Sequence, residues 1–254
     1  MRLLLLILTT PFLLQDPTPR PGYDDTPRLP GQEWRVHDLK RPYPIVVKPG
    51  KNVGDAPSDA LILFDGTNLD AWMTPDGEAP TWKLVDGAMV VAGNAEVQTK
   101  ASFGDSQLHV EWASPADRSG DSQGMGNSGV FLMGLYEIQV LDTWNNTSYA
   151  DGTAGAIYGQ FPPSANVCRP SGEWQTYDIL FTAPKFSESG DLDSPATVTL
   201  LHNGVLVHHN RELLGPTVHR TLPPGGAHAE KLPVKLQNHG DPVRYRNLWI
   251  RSLD

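Results

Sequence analysis

The sequence contains a single cysteine, Cys168, so no disulfide can form within the chain. A lone cysteine is more often an inert buried residue than a nucleophile, and we expect Cys168 to be inert. Charged residues make up only 19% of the chain, the formal net charge is -9, and lysine and arginine form no cluster. This balance argues against a nucleic-acid partner, because phosphate binding needs a basic surface.

Long amphipathic helices are also missing from the pattern, since no segment has an extended 3.6-residue apolar period. From Asp59 onward, short apolar or alternating runs are separated by turn residues, in keeping with 24 glycines and 23 prolines. Asp86-Gly87 and Asn203-Gly204 have the composition of hairpin turns, and Gly134-Leu135 suits a type II′ turn. About ten short strands predict an all-β sandwich or barrel.

The N-terminus has the composition of an export signal, because Met1-Arg2 is followed by the apolar run LLLLILTTPFLL. That run is shorter than the about 20 apolar residues of a membrane span. We therefore expect a signal peptide over residues 1–15 and export to the periplasm or beyond, with an uncleaved membrane tether as the alternative. Residues 16–57 are rich in proline and charge and are expected to form a linker. Residues 58–254 are long enough for one domain with a substantial core.

Several predicted strands carry polar side chains at one alternating set of positions and apolar side chains at the other. In YEIQVLD, Glu137 and Gln139 share one face, while Ile138 and Val140 share the other. The same alternation pairs His109 with Glu111, Gln237 with His239, and Arg244 with Arg246. Such groups make directed hydrogen bonds, whereas a solvated face more usually carries lysine, threonine and serine. The pattern predicts a concave site for a polyhydroxylated ligand.

Each of these residues also has a structural interpretation. His109 alone is typical of a hydrogen-bonded structural histidine, Glu137 could pair with Arg246, and Asp142 could cap the turn that follows it. The hypothesis of a site therefore rests on the four polar strand faces taken together. Five further histidines do not have the spacing of a zinc site: His202, His208, His209, His219 and His228.

Six motifs occur in order along the chain: LFDGTNLDAW, NSGVFL, YEIQVLD, GAIYG, GEWQTYDI and LQNHGDPVRYRNLWIR. Together they resemble the 3-keto-disaccharide hydrolase domain family over residues 59–254. The resemblance implies a concanavalin A-like jelly-roll of two antiparallel sheets. It also implies action on glycosides that are already oxidised at the C3 hydroxyl. The proline-rich region before Asp59 is not part of the family pattern.

The implied chemistry needs a base, an acid and hydrogen-bond donors for an oxyanion. A ketone at C3 makes the C2 proton acidic, so a base can remove it and the group on C1 can leave by β-elimination. Water can then add to the unsaturated ring and give net hydrolysis. We predict Glu137 and His239 as base and acid, and Arg246 as the group that holds the C3 oxygen. The predicted substrate-binding residues are His109, Glu111, Asn127, Gln139, Asp142, Trp144, Tyr158, Gln237 and Arg244.

Two other functions stay open. A retaining glycoside hydrolase needs two carboxylates about 5–5.5 Å apart, and Glu137 could be paired with Asp142 or Glu111. Residues five positions apart on a straight strand are roughly 16 Å apart, which ranks the pair with Asp142 lower. A non-catalytic glycan-binding module would use aromatic platforms such as Trp144 and Tyr158.

No cofactor is firmly predicted, but a divalent metal stays possible. Loop carboxylates could hold a structural calcium ion; the candidates are Asp117, Asp121, Asp191 and Asp193. A catalytic ion on Glu137 and His239 would polarise the ketone. The expected partner is an oligosaccharide or glycoside substrate, and the sequence does not indicate an oligomeric state.

Overall fold

The computed structural model describes residues 21–117 and 119–253. The chain divides into two compact units between Val46 and Val47. The signal peptide expected over residues 1–15 lies outside the described residues. In the first unit, the described residues form only isolated bridges, between Tyr23 and Asp38 and between Arg28 and Arg35.

The second unit is built almost entirely of strands. Its strands are β1 (Leu61–Phe64), β2 (Trp72–Met73), β3 (Lys83–Val85), β4 (Ala88–Val90), β5 (Val97–Phe103), β6 (Ser106–Ala113), β7 (Ser128–Leu132), β8 (Tyr136–Val140), β9 (Gln175–Thr182), β10 (Lys185–Phe186), β11 (Leu192–Ser194), β12 (Thr197–His202), β13 (Val205–Glu212), β14 (Leu232–Leu236) and β15 (Arg244–Ser252). The helices of the described residues are two 3-10 turns, Ser122–Gly124 and Ala150–Gly152. Across these residues, the structure contains no helix with the length and hydropathy of a membrane span.

The strands form two large sheets. The first has eight strands in the order β13-β12-β9-β6-β15-β4-β3, with β1 also paired to β15. The second has five strands in the order β2-β5-β14-β7-β8, and β10 and β11 form a separate pair. All of these pairings are antiparallel. The predicted all-β sandwich of two antiparallel sheets is confirmed.

One parity of the longer strands fills the space between the two large sheets. From β6, Leu108, Val110 and Trp112 are completely buried, and from β8 so are Ile138 and Val140. These side chains belong to a single hydrophobic cluster that includes both sheets. Burial of each such side chain contributes roughly 1.5–3 kcal/mol, which fixes the facing of every strand. The polar parity of each sheet therefore points away from the core, on opposite sides of the sandwich.

The hairpin between β7 and β8 positions the strand that carries Glu137. Met133 and Gly134 both have positive φ, 54° and 66°, the signature of a type I′ turn. A hydrogen bond from Leu135 N to Leu132 O, 3.0 Å long, closes the turn. The prediction of a type II′ turn at Gly134-Leu135 is therefore wrong by one residue and in type. Type I′ turns match the twist of the flanking strands, which explains a non-glycine residue at positive φ.

Candidate active site

Strand β8 is an edge strand whose free edge is covered by irregular chain. The N–H of Gln139 donates to the carbonyl of Ala156 (2.9 Å), and the N–H of Tyr158 donates to the carbonyl of Glu137 (3.1 Å). The N–H of Glu137 donates to Thr217 Oγ1 at 3.0 Å. These bonds satisfy an edge that would otherwise be open to pairing. They also bring Tyr158 and Thr217 next to Glu137.

The outer face of the five-stranded sheet carries a pocket of about 260 Å³, which we call the inner pocket. It is lined by Gln123, Asn127, Phe131, Glu137, Gln139, Tyr149, Tyr158, Thr217, His219, Gln237 and His239. Six of these were predicted as site residues from the sequence: Asn127, Glu137, Gln139, Tyr158, Gln237 and His239. The polar side chains of β8 and of the segment after β14 therefore line the same pocket.

Glu137 is the carboxylate of the inner pocket. Its side chain is 3% exposed, and no described residue donates a hydrogen bond to its carboxylate. Burial raises the pKa of Glu137 to about 8, because a charged carboxylate is poorly solvated there. The negative charge of Glu96 adds to this increase, and the positive charge of Lys235 opposes it. A carboxyl group with a pKa near neutrality can both accept and return a proton.

Gly129 on β7 provides the space for this carboxylate. It pairs with Gln139, and Phe131 pairs with Glu137, so the pocket-facing positions of the two strands alternate in register. A Cβ added at Gly129 would overlap Glu137 Oε1 and lie 2.9 Å from Phe131 Cε2. Glycine is therefore required at position 129 because neighbouring side chains approach closely, and not because the backbone has a conformation that only glycine adopts.

A chain of amides forms one wall of the inner pocket. Gln139 Nε2 donates to Gln123 Oε1 (3.1 Å) and to Asn127 Oδ1 (3.2 Å), and Asn127 Nδ2 donates to the carbonyl of Gln123 (2.7 Å). Gln139 Oε1 and Gln237 Oε1 are buried without a protein partner. A buried carbonyl oxygen without a partner costs about 1–3 kcal/mol, so both oxygens are suited to accept hydrogen bonds from a ligand or from water.

Two tyrosines and a histidine form a second group of lining residues. The hydroxyl groups of Tyr149 and Tyr158 are 2.6 Å apart, and Tyr158 Oη lies 2.9 Å from His219 Nδ1. The rings of Tyr158 and His219 are stacked with centroids 6.3 Å apart. Burial, together with the hydrogen bond to Tyr149, raises the pKa of Tyr158, so its hydroxyl group stays protonated.

A wider cavity of about 1120 Å³ adjoins the inner pocket, and we call it the outer cavity. The two share Gln123, Tyr149, Tyr158, His219 and His239. The outer cavity adds Ser122, Asp151, Gly159, Val218, Arg220, Thr221 and Leu222. The shared residues make it the approach to the inner pocket.

Four predicted site residues do not reach the inner pocket. His109, Glu111, Arg244 and Arg246 lie on β6 and β15, at the polar parity of the eight-stranded sheet, and thus on the other side of the sandwich. Arg246 Nε donates to Glu111 Oε2 at 2.6 Å, and its guanidinium lies 4.1 Å from the centre of the Trp174 ring. Arg246 therefore does not line the pocket in which it was predicted to hold the C3 oxygen.

These residues form an ionic network, which we call the ionic face: His109, Glu111, Asp178 and Arg246. His109 Nδ1 is 2.6 Å from Asp178 Oδ1. Burial opposes the charge on His109, but the hydrogen bond with Asp178 and the nearby carboxylate of Glu111, whose Oε1 lies 3.7 Å from His109 Nε2, outweigh it and raise the pKa of His109 to about 9. Burial also opposes the charge on Glu111, but the neighbouring His109 and the hydrogen bonds from Asn247 and Arg246 lower the pKa of Glu111 to about 2. The opposite charges of the network pair with one another, as expected for a structural role, although His109 Nε2 is buried without a hydrogen-bond partner.

Asp142 and Trp144 also lie outside the inner pocket. Asp142 accepts hydrogen bonds from Ser114 Oγ (3.0 Å) and from the N–H of Trp144 (3.1 Å), so it caps the turn after β8. Trp144 is 40% exposed and lines neither the inner pocket nor the outer cavity. Asp142 thus matches its structural interpretation, and Glu137 has no second carboxylate beside it from this strand.

The described residues include no group of three or more histidine, cysteine, aspartate or glutamate side chains that could hold a metal ion. Glu137 and His239 do line the same pocket. A divalent ion there stays a prediction that would need amide oxygens or water as additional ligands.

Five lining residues are not among the site residues predicted from the sequence: Gln123, Phe131, Tyr149, Thr217 and His219. Phe131 was recoverable, because it occupies the same parity as Gly129 in a strand paired in register with β8. Tyr149, Thr217 and His219 lie on irregular segments, and their arrival beside β8 depends on long-range contacts that no local pattern signals.

A two-sheet jelly-roll with a pocket of carboxylate, amide, imidazole and phenol groups defines a protein of the carbohydrate-active class. The chain belongs to the 3-keto-alpha-glucoside-1,2-lyase-like domain family, whose model matches residues 59–251. The resemblance drawn from the six motifs is thereby confirmed. Family membership supports a carbohydrate-active function and leaves the particular reaction to be argued from the site.

Solved structures of similar proteins agree with the fold. A candidate glycosyl hydrolase from Parabacteroides distasonis is 43% identical, with 88% of this chain and 99% of that chain covered and a TM-score of 0.82. Two further candidate glycosyl hydrolases from the same organism share the fold at 18% and 22% identity, with TM-scores of 0.54 and 0.50. Their matches cover 77% and 76% of this chain and 94% and 99% of theirs. Comparison with curated protein sequences gives no significant match.

Proposed function

We propose that this protein cleaves 3-keto-glycosides by removal of the C2 proton and β-elimination of the group on C1. The observation that carries the proposal is Glu137, a buried carboxylate without a hydrogen-bond donor, at the wall of a small pocket of amides and imidazoles. Such a group is poised to take a weakly acidic carbon-bound proton, because burial makes its carboxylate a stronger base than an exposed one.

The steps balance with the residues of the inner pocket. Glu137 takes the proton from C2, and the electrons of that bond form an enolate with the oxygen on C3. The enolate then re-forms the ketone, a double bond forms between C1 and C2, and the C1–O bond breaks. His239 donates a proton to the departing oxygen. Water then adds to C1 and gives one proton to His239, which restores the acid, while Glu137 returns its proton to C2; the net result is hydrolysis.

His219 replaces Arg246 as the residue that we assign to the oxygen on C3. If Tyr149 donates to Tyr158, and Tyr158 donates to His219 Nδ1, then His219 Nε2 carries the proton and is a donor to the pocket. Because its hydrogen-bond chain fixes the orientation of His219, this donor needs little reorganisation when negative charge develops on the C3 oxygen.

The amide wall supports recognition of the remaining sugar hydroxyl groups. Gln139 Oε1 and Gln237 Oε1 are buried acceptors without a protein partner, and a ring hydroxyl group can donate to each. Gln139 is held by two hydrogen bonds from its own amide nitrogen, so its acceptor is fixed in direction.

The composition of the inner pocket favours elimination over the two-carboxylate alternative. Glu137 is the single carboxylate among its described lining residues, and Asp142 is occupied by its capping hydrogen bonds. A retaining glycosidase requires a second carboxyl group about 5–5.5 Å from the first.

Glu137→Gln tests the proposal, because it keeps the shape of the side chain and removes the base. We expect a loss of about 10²–10⁴-fold in kcat on a 3-keto-glucoside, measured by product analysis over time. The matched control is Glu230→Gln, since Glu230 is exposed and lies outside both cavities. We expect wild-type protein to be inactive on the unoxidised glucoside, whose C2 proton is not acidic.

Two outcomes would contradict the proposal. Equal activity on oxidised and unoxidised glucosides would favour a conventional two-carboxylate hydrolase. Measurable sugar binding without turnover of either would favour a glycan-binding module.

A further inference from the structure

A long irregular loop joins β13 to β14 and supplies residues to both cavities. It runs over residues 213–231. From this loop, Thr217 and His219 line the inner pocket, and residues 218–222 line the outer cavity. The position of His219, which we assign to the oxygen on C3, therefore depends on how the loop is held. This step rests on the function proposed above.

The loop closes on itself around residues 216–222, which we call the lobe. Before the lobe, the side chain of Gln160 accepts a hydrogen bond from the N–H of Leu214 (2.8 Å) and donates one to the carbonyl of Gly215 (2.9 Å). A Cβ added at Gly215 would lie 2.9 Å from Pro223 Cβ, so the two ends of the lobe are in contact. This is the arrangement of a compact Ω-loop.

The lobe is anchored near its beginning by Thr217. The N–H of Thr217 donates to the carbonyl of Leu135 (2.8 Å), and its hydroxyl oxygen accepts from the N–H of Glu137 (3.0 Å). Farther along the lobe, Val218 and Leu222 are 42% and 85% exposed. Burial therefore contributes little to holding this part of the lobe, and its position depends on the points at which the chain is anchored.

Beyond the lobe, the chain is anchored by Tyr136 and His228. Tyr136 Oη lies 2.7 Å from His228 Nε2, and the rings of His228 and Phe186 meet edge to face with centroids 5.1 Å apart. Burial raises the pKa of Tyr136 to about 12, so its hydroxyl group keeps its proton and donates it to Nε2. His228 Nδ1 then carries the ring proton and donates to the carbonyl of Ala229 at 2.9 Å. Both nitrogen atoms are thereby engaged, which fixes the orientation of the ring.

We propose that Tyr136 and His228 are a positioning pair, which holds the lobe so that His219 faces the inner pocket. The anchors of the loop are three consecutive residues, Leu135, Tyr136 and Glu137. The base and the loop that carries the donor for the C3 oxygen thus share one support. A displacement of about 1 Å at a reacting group can cost about 10²-fold in rate, so a remote anchor of this kind affects turnover without touching the substrate.

Cleavage by trypsin after Arg220 tests the anchor without any substrate, because Arg220 is an exposed residue of the lobe. Tyr136→Phe deletes the hydroxyl group and keeps the ring. We expect native Tyr136→Phe protein to be cleaved there at least fivefold faster than wild-type protein, with the site identified by mass spectrometry. Tyr245→Phe is the matched control, because it deletes a buried hydroxyl group that donates to Ser128 Oγ (2.6 Å), outside the loop. Equal rates in Tyr136→Phe and wild-type protein would overturn the proposal.

A double-mutant cycle then tests whether the pair acts through His219. We expect Tyr136→Phe to lower kcat on a 3-keto-glucoside about threefold to tenfold with KM nearly unchanged, because the contact with the C3 oxygen strengthens in the transition state. In His219→Ala protein, the same substitution should change kcat less than twofold, since the residue that it positions is gone. Equal factors in both backgrounds would indicate a general structural effect and overturn the proposal. Faster cleavage of Tyr136→Phe, together with no turnover of the 3-keto-glucoside by wild-type protein, would confirm the anchor and refute the proposed reaction.

Discussion

Glu137 illustrates how a functional residue can oppose the stability of its own fold. Its carboxyl group has a pKa of about 8 in the folded protein, against an ordinary value of 4.5. Between these values the folded state keeps the proton and the unfolded state releases it, so stability falls as the pH rises from 4.5 to 8. Above pH 8 the whole unfavourable contribution is present.

We therefore predict that Glu137→Gln protein is more stable than wild-type protein at pH 8.5, by about 2 kcal/mol, and gains little at pH 4.5. The reason is that the amide needs no charge in the buried site. Urea denaturation at the two pH values measures the difference. Glu230→Gln is the control and should shift stability by less than about 0.5 kcal/mol. A loss of stability in Glu137→Gln at pH 8.5 would contradict the account of an uncompensated buried carboxylate.

The same pKa sets the pH dependence of the proposed reaction. A general base acts only when it is ionised. With removal of the C2 proton as the rate-limiting step and His239 acting only afterwards, kcat/KM on a 3-keto-glucoside should rise about tenfold per pH unit below pH 8 and level off above it. Initial rates from pH 5.5 to 9 provide the measurement. A profile that is flat between pH 6 and 8 would exclude Glu137 as the base.

At the level of strands, the register between β7 and β8 places Gly129 against the carboxylate of Glu137. We predict that Gly129→Ala lowers kcat/KM at least tenfold, because the added methyl group displaces the carboxylate from its position in the inner pocket. Gly225→Ala is the control, since an added Cβ there would meet no atom within 4 Å. Circular dichroism would establish that both variants fold. Full activity in Gly129→Ala would mean that the position of Oε1 does not matter.

The ionic face joins β6, β9 and β15 through His109, Asp178 and Arg246. The folded state holds the proton of His109 up to about pH 9, whereas an unfolded histidine releases it near 6.5. The stabilisation is therefore complete below pH 6.5 and is lost as the pH rises to 9.

Asp178→Asn should remove most of this effect, because it deletes the closest partner of His109. We predict a loss of about 1 kcal/mol at pH 6 and none at pH 9.5, since Asp178 is 42% exposed and its charge is screened by solvent. Denaturation curves at the two pH values test this, with Asp193→Asn as an exposed control. An equal loss at both pH values would point to packing instead of charge.

The sequence predicts which side chains leave the core, but it does not say which sheet they belong to. The alternation of β8 correctly assigns Ile138 and Val140 to the hydrophobic core and Glu137 and Gln139 to the opposite face, where they line the inner pocket. The same rule gave Arg246 an outward position, and β15 then paired with β6 in the other sheet. Strand pairing depends on contacts between distant segments, so alternation alone merged two opposite faces into one.

At the scale of the whole molecule, the fold separates a reactive face from a structural one. The inner pocket lies on the five-stranded sheet, and the ionic face lies on the eight-stranded sheet beyond the shared core. Buried acceptors without partners occur on the reactive face at Gln139 and Gln237. On the structural face, the charges of Glu111 and Arg246 satisfy each other. Substitutions on the two faces should therefore change different properties.

We predict opposite results for Gln237→Ala and Arg246→Ala. Gln237→Ala should lower kcat/KM on a 3-keto-glucoside about threefold to tenfold, the contribution of one neutral hydrogen bond, and leave stability within about 0.5 kcal/mol. Arg246→Ala should leave kcat/KM unchanged and lower stability by about 1–2 kcal/mol, because Glu111 is 15% exposed and loses its arginine partner while keeping the hydrogen bond from Asn247. Steady-state kinetics and urea denaturation on the same preparations measure both quantities. A loss of activity in stable Arg246→Ala protein would mean that the substrate reaches the ionic face, and the assignment of the reaction to the inner pocket would then fail.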